Sequence, residues 1–383
     1  MNARKSLLAA AAAFFATAAL SYADVTIVLT GSTAFRAAVN DSIIAMLSGE
    51  TVRHITGSSA GLNNSNTAIF QGTIASLPAL GTVTIKTAWS GSGSGITTLV
   101  NNSNVNVLPD SVLLEGTTGT NVAAVSTTTT TAKATYAFSD VKQESTTAAS
   151  LTALAAPSSV GIIPFQFVAS ESAPAGVTNI TDQQVYQLLN AGFLPSSVLS
   201  GSSADYSVTL YPVGRDSGSG TRIAVLAETG YGINNPVNQA LPTTTGSGAS
   251  VVITAAGEGG RGNSGESSGG TLATWLSGTS TGFALIGYMG VSDTTTAVGN
   301  GARALSYNGS TYSATNVKNG VYTLWSEVQL YTQTAAPTSD QSALKTELLS
   351  QVNTYLLSNE NRGIALTAMN VTRPSDGGPV SSN

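Results

Sequence analysis

The sequence predicts a layered α/β fold, because short apolar runs of strand-forming residues alternate with segments of helical periodicity. The 383 residues are too many for one small domain and suit two domains of ordinary size. Hydrophobic residues make up 42% of the chain and charged residues only 9%, which excludes an intrinsically disordered protein for the bulk of the chain.

Composition excludes several functional classes. The formal net charge is −5, whereas a nucleic-acid-binding protein normally carries a basic excess. The absence of cysteine excludes thiol catalysis, thiolate metal sites, disulfides and a lipid-modified N-terminal cysteine. The single histidine, His54, argues against a histidine metal cluster and against a Ser-His-Asp triad. We therefore expect a protein that is not an enzyme and that uses neither a metal nor a cofactor.

Residues 1–23 have the pattern of a secretory signal peptide. Two basic residues precede an apolar run over 7–20 that is too short to span a bilayer comfortably, and Ser21 and Ala23 occupy the cleavage-defining positions. A membrane anchor is the alternative, but polar residues follow directly from Asp24. Since no other stretch is long and apolar enough to span a membrane, we expect a soluble periplasmic or secreted protein.

The N-terminal part of the mature chain begins with a predicted strand over 25–29, a run of β-forming residues. A helix is predicted to follow, because one face collects apolar residues at helical spacing: Phe35, Val39, Ile43, Met46 and Leu47. Alternating residues over 83–89 predict a half-buried strand. Residues 48–80 show no clear period, and 101–135 are predicted to form an inserted loop or β-ribbon, with a flexible linker as the alternative.

Further strands are predicted over 134–138, 160–168, 206–213, 283–289 and 321–331. Pro164 inside the second of these runs suits a crossing between domains. Thr181 and Gln184 form a capping-box pattern for one helix, and Ser339 is predicted to cap the last long helix. Residues 372–383, rich in Pro, Gly and Ser, are predicted to be a disordered tail.

Three Ser/Thr/Gly turns, over 31–33, 91–95 and 218–221, each connect a strand to a helix. The first N–H groups of a helix have no partner within it and carry partial positive charge, so such turns bind oxyanions readily. The third turn also carries Arg215, whose planar guanidinium grips two oxygens at once. If the turns converge, they form a site for one anion; ordinary helix capping is the alternative for each turn taken alone.

Asp140 follows a predicted strand and is the acidic member of this set. A carboxylate repels a fully ionised ligand but accepts a hydrogen bond from an anion that still carries a proton, which favours hydrogen phosphate over sulfate. An exposed turn residue or a helix cap is the alternative interpretation of Asp140.

These segments resemble, in order along the mature chain, the phosphate-binding proteins of ABC-type phosphate importers, which are type II periplasmic binding proteins. Residues 215–221 are similar to the family's Arg-x-Asp-Gly-Ser-Gly-Thr motif, and 29–35, 89–95 and 138–140 are similar to its other ligand loops. The resemblance implies two α/β lobes joined by a hinge that the chain crosses twice. It implies lobe I over 24–162 plus 289–371 and lobe II over 163–288.

The resemblance also implies the function and the ligand groups. The protein would be a monomer that captures inorganic phosphate or a similar oxyanion between the lobes and delivers it to an ABC permease complex. The implied ligand-binding residues, carried over by position, are Ser32, Thr33, Phe35, Ser94, Asp140, Arg215, Ser219, Gly220 and Thr221.

The sequence departs from the family motif beside the arginine. Ser217 stands where the motif has an aspartate, and Asp216 comes one position early. In the family that acid steadies the arginine, so Arg215 is expected to be held differently here. This departure and the Thr-rich insertions leave a second hypothesis open, in which a structural or adhesive surface protein reuses the binding-protein fold without transport.

Overall fold

The computed structural model describes residues 25–56, 61, 65–114, 123–256, 262–333 and 337–383. The predicted signal peptide therefore lies outside the described residues. The fold is mixed α/β, as predicted, and its central feature is a 12-stranded sheet. Within the described ranges, no helix combines the length and the apolar character needed to cross a bilayer.

The strands are β1 (Val25–Gly31), β2 (Ser48–Thr56), β3 (Thr67–Thr73), β4 (Val83–Trp89), β5 (Asn104–Val107), β6 (Ala123–Ser126), β7 (Thr130–Lys133), β8 (Tyr136–Ser139), β9 (Ser158–Ala169), β10 (Asn179–Ile180), β11 (Leu194–Pro195), β12 (Thr209–Pro212), β13 (Thr243–Thr245), β14 (Val252–Ala255), β15 (Phe283–Gly290), β16 (Arg303–Ala304), β17 (Ser306–Tyr307), β18 (Trp325–Thr332), β19 (Val371–Thr372) and β20 (Ser381–Ser382). The helices are α1 (Arg36–Met46), α2 (Ser92–Val100), α3 (Asp182–Ala191), α4 (Ser197–Ser200), α5 (Gly220–Glu228), α6 (Gly269–Leu276), α7 (Val291–Gly299), α8 (Ala314–Lys318) and α9 (Ser339–Leu356).

The large sheet runs in the order β11-β12-β15-β9-β18-β8-β1-β4-β3-β2-β6, with β16 also on β9. The first part of β9 pairs with β18 and its last residues pair with β15. We call the side from β8 to β6 the first lobe and the side from β15 to β11 the second lobe. Because β9 leads from the first lobe to the second and β18 leads back, the chain crosses twice, as predicted.

Pro164 lies where β9 leaves β18 and begins to pair with β15. Proline has no N–H to donate to a ladder, so a change of partner is a position where a strand tolerates it. This placement agrees with the crossing expected from the sequence.

Apolar faces fix the layers around the sheet. α1 and α9 pack on each other and on the first lobe, where α9 buries Leu344, Leu348 and Val352. In the second lobe α6 and α7 pack against β15. The capping box of Thr181 and Gln184 at the start of α3 is confirmed by both hydrogen bonds. Thr338 rather than Ser339 caps α9, because its hydroxyl oxygen accepts the N–H of Gln341.

The inserted segments extend the first lobe. β2 pairs antiparallel with β3, and β3 pairs antiparallel with β4, so 48–56 and 67–73 add two strands to the sheet in a region where the sequence showed no clear period. β5 and β7 form a separate antiparallel ribbon, one of the two forms predicted for 101–135. Residues 115–122 of that segment lie outside the described residues.

The prediction of a disordered tail over 372–383 is wrong. β19 pairs with β20, and Arg373 is buried in an ion pair with Glu228 at 2.8 Å. The Asp376 carboxylate accepts the backbone N–H of Lys142 at 2.8 Å. The Pro, Gly and Ser content signalled disorder, but these two charged residues find partners on both lobes and fix the segment in place.

The segment that follows β15 bears on where the chain returns to the first lobe. α7 packs on α6, and both α7 and β16 contact β9. Residues 291–304 thus pack with the second lobe. We therefore propose that the return crossing lies in β18 and not at the residue 289 inferred from the sequence.

Candidate anion-binding site

The first predicted turn lies where β1 ends beside β8. The two strands are parallel, and Gly31 is in register with Phe138. Gly31 has φ +105°, and a Cβ there would lie 1.9 Å from the Phe138 carbonyl oxygen, so only glycine allows this approach. The N–H of Ser32 then donates to the same carbonyl at 2.8 Å. Since parallel strands end at the same edge of a sheet, Ser32 and Asp140 meet there.

Asp140 follows β8 and is 1% exposed. Its backbone N–H donates to Ser92 Oγ at 3.0 Å. Burial raises the pKa of its carboxyl to about 6, an effect that hydrogen bonds from Ser32 and Ser92 and the charge of Arg215 oppose. One carboxyl oxygen, Oδ1, is buried without a hydrogen-bond partner among the described residues. A buried, unsatisfied carboxyl oxygen is a strong acceptor for a protonated ligand.

Arg215 reaches this group from the second lobe, where it follows β12, and is 1% exposed. Its Nε donates to the Glu266 carbonyl at 3.0 Å, and Nη2 donates to the Ser267 carbonyl and to Thr33 Oγ1, both at 2.8 Å. The structure shows no acceptor for Nη1 within the described residues. Burial lowers the pKa of Arg215, and nearby carboxylates, Asp293 most strongly, oppose this effect.

The start of α5 faces Asp140 across the junction of the lobes. Ser219 is the N-cap, and its hydroxyl oxygen accepts the N–H of Arg222 at 3.4 Å. The backbone N–H groups of Gly220 and Thr221 have no acceptor in the described part of the chain. A Cβ on Gly220 would lie 2.9 Å from Asp140 Oδ2, so glycine lets the helix N-terminus approach the carboxyl closely.

Two of the predicted ligand residues, Phe35 and Ser94, make contacts within the protein. The N–H of Phe35 donates to Ser32 Oγ at 3.1 Å, and its ring packs against Phe138 in the core. The side chain of Ser94 lines a surface cavity of about 370 Å³ and also lies next to Gly218, where an ideal Cβ would be 2.3 Å from Ser94 Oγ. The N–H of Ser94 donates to the Gly218 carbonyl at 3.4 Å. The N–H of Gly93 donates to that carbonyl at 3.0 Å. The start of α2 is therefore capped by the second lobe.

Sequence reasoning missed Ser92 and Asp293. Ser92 is the first residue of α2, and its hydroxyl oxygen accepts the backbone N–H of Asp140. Three serines share that turn, so the sequence alone did not show which one faces the site. Asp216 accepts the N–H of Gly218 at 2.9 Å and caps its own turn. The carboxylate that raises the pKa of Arg215 most strongly is Asp293, on α7, and not the neighbouring Asp216. No local sequence motif links Asp293 to the arginine.

The structure thus brings Ser32, Thr33, Asp140, Arg215, Ser219, Gly220 and Thr221 to one junction, and the Ser94 hydroxyl lies at its edge next to Gly218. The junction combines one guanidinium, two backbone N–H groups without acceptors and one buried carboxyl. In the described ranges no cluster of three His, Asp or Glu residues could hold a metal ion. This donor and acceptor set suits a small oxyanion that still carries a proton.

Comparison with known proteins gives a likeness in overall shape only. No family model matches the chain. No curated protein matches it either. A Clostridium perfringens protein described as a phosphate ABC transporter substrate-binding protein, solved with bound phosphate, is 13% identical; the match covers 89% of this chain and 99% of that one, with a TM-score of 0.48.

Two further solved structures have similar scores. An ABC-type phosphate transport receptor from Vibrio cholerae is 14% identical and covers 88% of this chain and 99% of its own, with a TM-score of 0.45. An OxyR variant from Corynebacterium glutamicum is 9% identical and covers 91% of this chain and 71% of its own, with a TM-score of 0.43. At these values the likeness assigns neither a family nor a ligand to this chain.

Proposed function

We propose that this chain is an exported solute-binding protein that captures phosphate at the junction of the two lobes for import by an ABC permease. The observation that carries the proposal is the buried Asp140 carboxyl opposite the free N–H groups of α5 and the guanidinium of Arg215. The signal-peptide pattern over 1–23 supports the export step. Binding makes and breaks no covalent bond, and the protein acts as a monomer.

The acceptor in the site selects phosphate over sulfate. Near neutral pH phosphate carries at least one proton, which it donates to Asp140, while sulfate carries none. Sulfate would place its oxygens against the carboxyl oxygens with no hydrogen between them, and a buried acceptor without a partner costs about 1–3 kcal/mol. Arg215 and the N–H groups of Gly220 and Thr221 bind the remaining phosphate oxygens.

Direct contacts between the lobes support capture by closure. Arg215 donates to Thr33 across the junction, and Gly93 donates to the Gly218 carbonyl. Side chains from both lobes are buried at this point, so a bound anion is shielded from water. Removal of water strengthens each hydrogen bond to the ligand, because the local dielectric constant is lower. The paired strands β9 and β18 provide the hinge for this movement.

Isothermal titration calorimetry with phosphate and with sulfate at neutral pH tests the proposal. We expect heat and a 1:1 end point with phosphate, at least tenfold weaker binding of sulfate, and loss of phosphate binding in Arg215→Met. Arg303→Met is a matched control, because Arg303 donates to the carbonyls of Pro174 and Val177. No heat and no thermal shift with any tetrahedral oxyanion would overturn the proposal.

A further inference from the structure

A second buried arginine lies next to the first turn. Arg36 is the first residue of α1 and is 4% exposed. Its Nη1 donates to Asn66 Oδ1, whereas its Nε is buried with no hydrogen-bond partner among the described residues. A buried guanidinium with an unused donor is costly unless an anionic group comes close to it.

Arg36 and Arg215 lie on opposite sides of the same junction. Thr33, one helical turn before Arg36, accepts the hydrogen bond from Arg215 Nη2 at 2.8 Å. Burial lowers the pKa of Arg36, and the positive charge of Arg215 lowers it further, while Asp293 opposes the change. Two buried cations in one region repel each other, so the junction needs negative charge between them.

Asp293 supplies one of these negative charges from the second lobe. Gly290, the residue that precedes α7, lies against Ala34 of the first turn, with 3.4 Å between an ideal Cβ and the Ala34 Cβ. The Asp293 carboxylate lies against Gly269, where an ideal Cβ would be 2.0 Å from Oδ2. Gly269 comes two residues after Ser267, whose carbonyl accepts a hydrogen bond from Arg215. Asp293 thus lies next to the segment that holds Arg215.

Carboxyl groups outnumber guanidinium groups around this point. Arg36 and Arg215 are the cations, and Asp293 and Asp140 are the carboxylates that act on them. Arg362 also acts on Asp293 and lies 3.9 Å from its own partner, the carboxylate of Asp41. Glu266 and Asp216 lie near Arg215 on the second-lobe side. Removal of Arg36 would enlarge this excess of carboxyl groups and would weaken the attraction for an anion with two charges.

We propose that Arg36 is a second anion-binding guanidinium of this site, positioned by Asn66 and Asp293, and that it gives the site its affinity for the dianionic form of phosphate. This inference rests on the proposed function. Its Nε, which has no protein acceptor among the described residues, binds an oxygen of the anion. The charge that Arg36 adds matters more for a dianion than for a monoanion, because the Coulomb attraction scales with ligand charge.

The test compares phosphate affinity of wild type and Arg36→Gln at about pH 5.5 and at about pH 8.5, on either side of the second ionisation of phosphate. We expect Arg36→Gln to lose about tenfold in affinity at the lower pH and about a hundredfold at the higher pH. Asp140 changes its protonation between these pH values in both proteins. The ratio of wild-type to variant affinity at each pH therefore reports the contribution of Arg36 alone.

Two further variants keep the result decisive. Arg36→Lys retains the charge and loses the planar guanidinium, so it should lose only a few fold in phosphate affinity and keep the wild-type pH dependence. This variant keeps the test valid even if Arg36→Gln folds poorly. Arg303→Gln controls for the removal of an arginine away from the site. An equal loss for Arg36→Gln at both pH values, or no loss, overturns the inference while phosphate binding by wild type stands. Failure of wild type to bind phosphate overturns the proposed function and this inference together.

Discussion

The guanidinium of Arg215 donates to the hydroxyl of Thr33 at 2.8 Å and joins two residues that are 182 positions apart in the chain. Thr33 belongs to the first lobe and Arg215 to the second, so this contact forms only when the lobes are together. The hydroxyl thus fixes one arm of the guanidinium, while Nη1 has no acceptor among the described residues.

Thr33→Val is therefore expected to weaken phosphate binding. Valine keeps the size of threonine but gives Arg215 no acceptor, and the buried Nη2 retains only the Ser267 carbonyl. The expected loss is about tenfold in affinity, which corresponds to 1.4 kcal/mol. Calorimetry with phosphate measures it. Thr346→Val on the exposed side of α9 is the control, and equal affinities of the two variants would contradict the role of this contact.

The carboxyl of Asp140 makes stability depend on pH. Its pKa is about 6 in the folded chain and 3.8 in its unperturbed state, so the folded state binds the proton more tightly. The group therefore contributes stability at low pH that is lost as the pH rises from about 4 to about 6, by roughly 3 kcal/mol in total.

Urea unfolding of wild type and Asp140→Asn without phosphate, at pH values below and above this window, measures that contribution. Other buried carboxyl groups with raised pKa values, Asp293 and Glu228 among them, also titrate, but they change the stability of both proteins equally. We expect the wild type to lose stability relative to Asp140→Asn as the pH rises. A difference between the two proteins that stays constant with pH would show that Asp140 titrates normally.

Gly220→Ala is expected to abolish phosphate binding with little effect on the second lobe. A Cβ at this position would lie 2.2 Å from Ser92 Oγ and 2.9 Å from Asp140 Oδ2, so the start of α5 would have to move away from the first lobe. The displacement separates the N–H groups of α5 from the carboxyl, and we expect at least a hundredfold loss of affinity. Gly299→Ala, where a Cβ meets nothing within 4 Å, is the matched control and should bind phosphate as wild type does.

Local patterns were sufficient to predict the elements that build this junction. The apolar run of β1, the capping box of α3 and the Arg215 turn each show their structure within a few residues, because strand formation and helix capping are local effects. The contact between Ser92 and Asp140 was not predictable, because it depends on how α2 is rotated against β8. Asp293 could not be found either, since only the packing of α7 on the first turn brings it near the arginines.

The ordered segment after β19 provides the last prediction, because Arg373 forms the best-buried ion pair in the described residues. Its guanidinium lies 2.8 Å from Glu228, with side chains 3% and 10% exposed, and stacks 4.0 Å above the ring of Trp325. Arg373→Met leaves the Glu228 carboxylate buried without its partner and should destabilise the protein by about 3–5 kcal/mol. The double variant with Glu228→Gln should recover most of that loss, because no unpaired charge remains. Urea unfolding measures the stability of both variants. Lys318→Met is the control, because it breaks an ion pair whose side chains are 23% and 42% exposed, and it should lose less than about 1 kcal/mol of stability. An equally small loss for Arg373→Met would show that the segment is not held by the pair with Glu228.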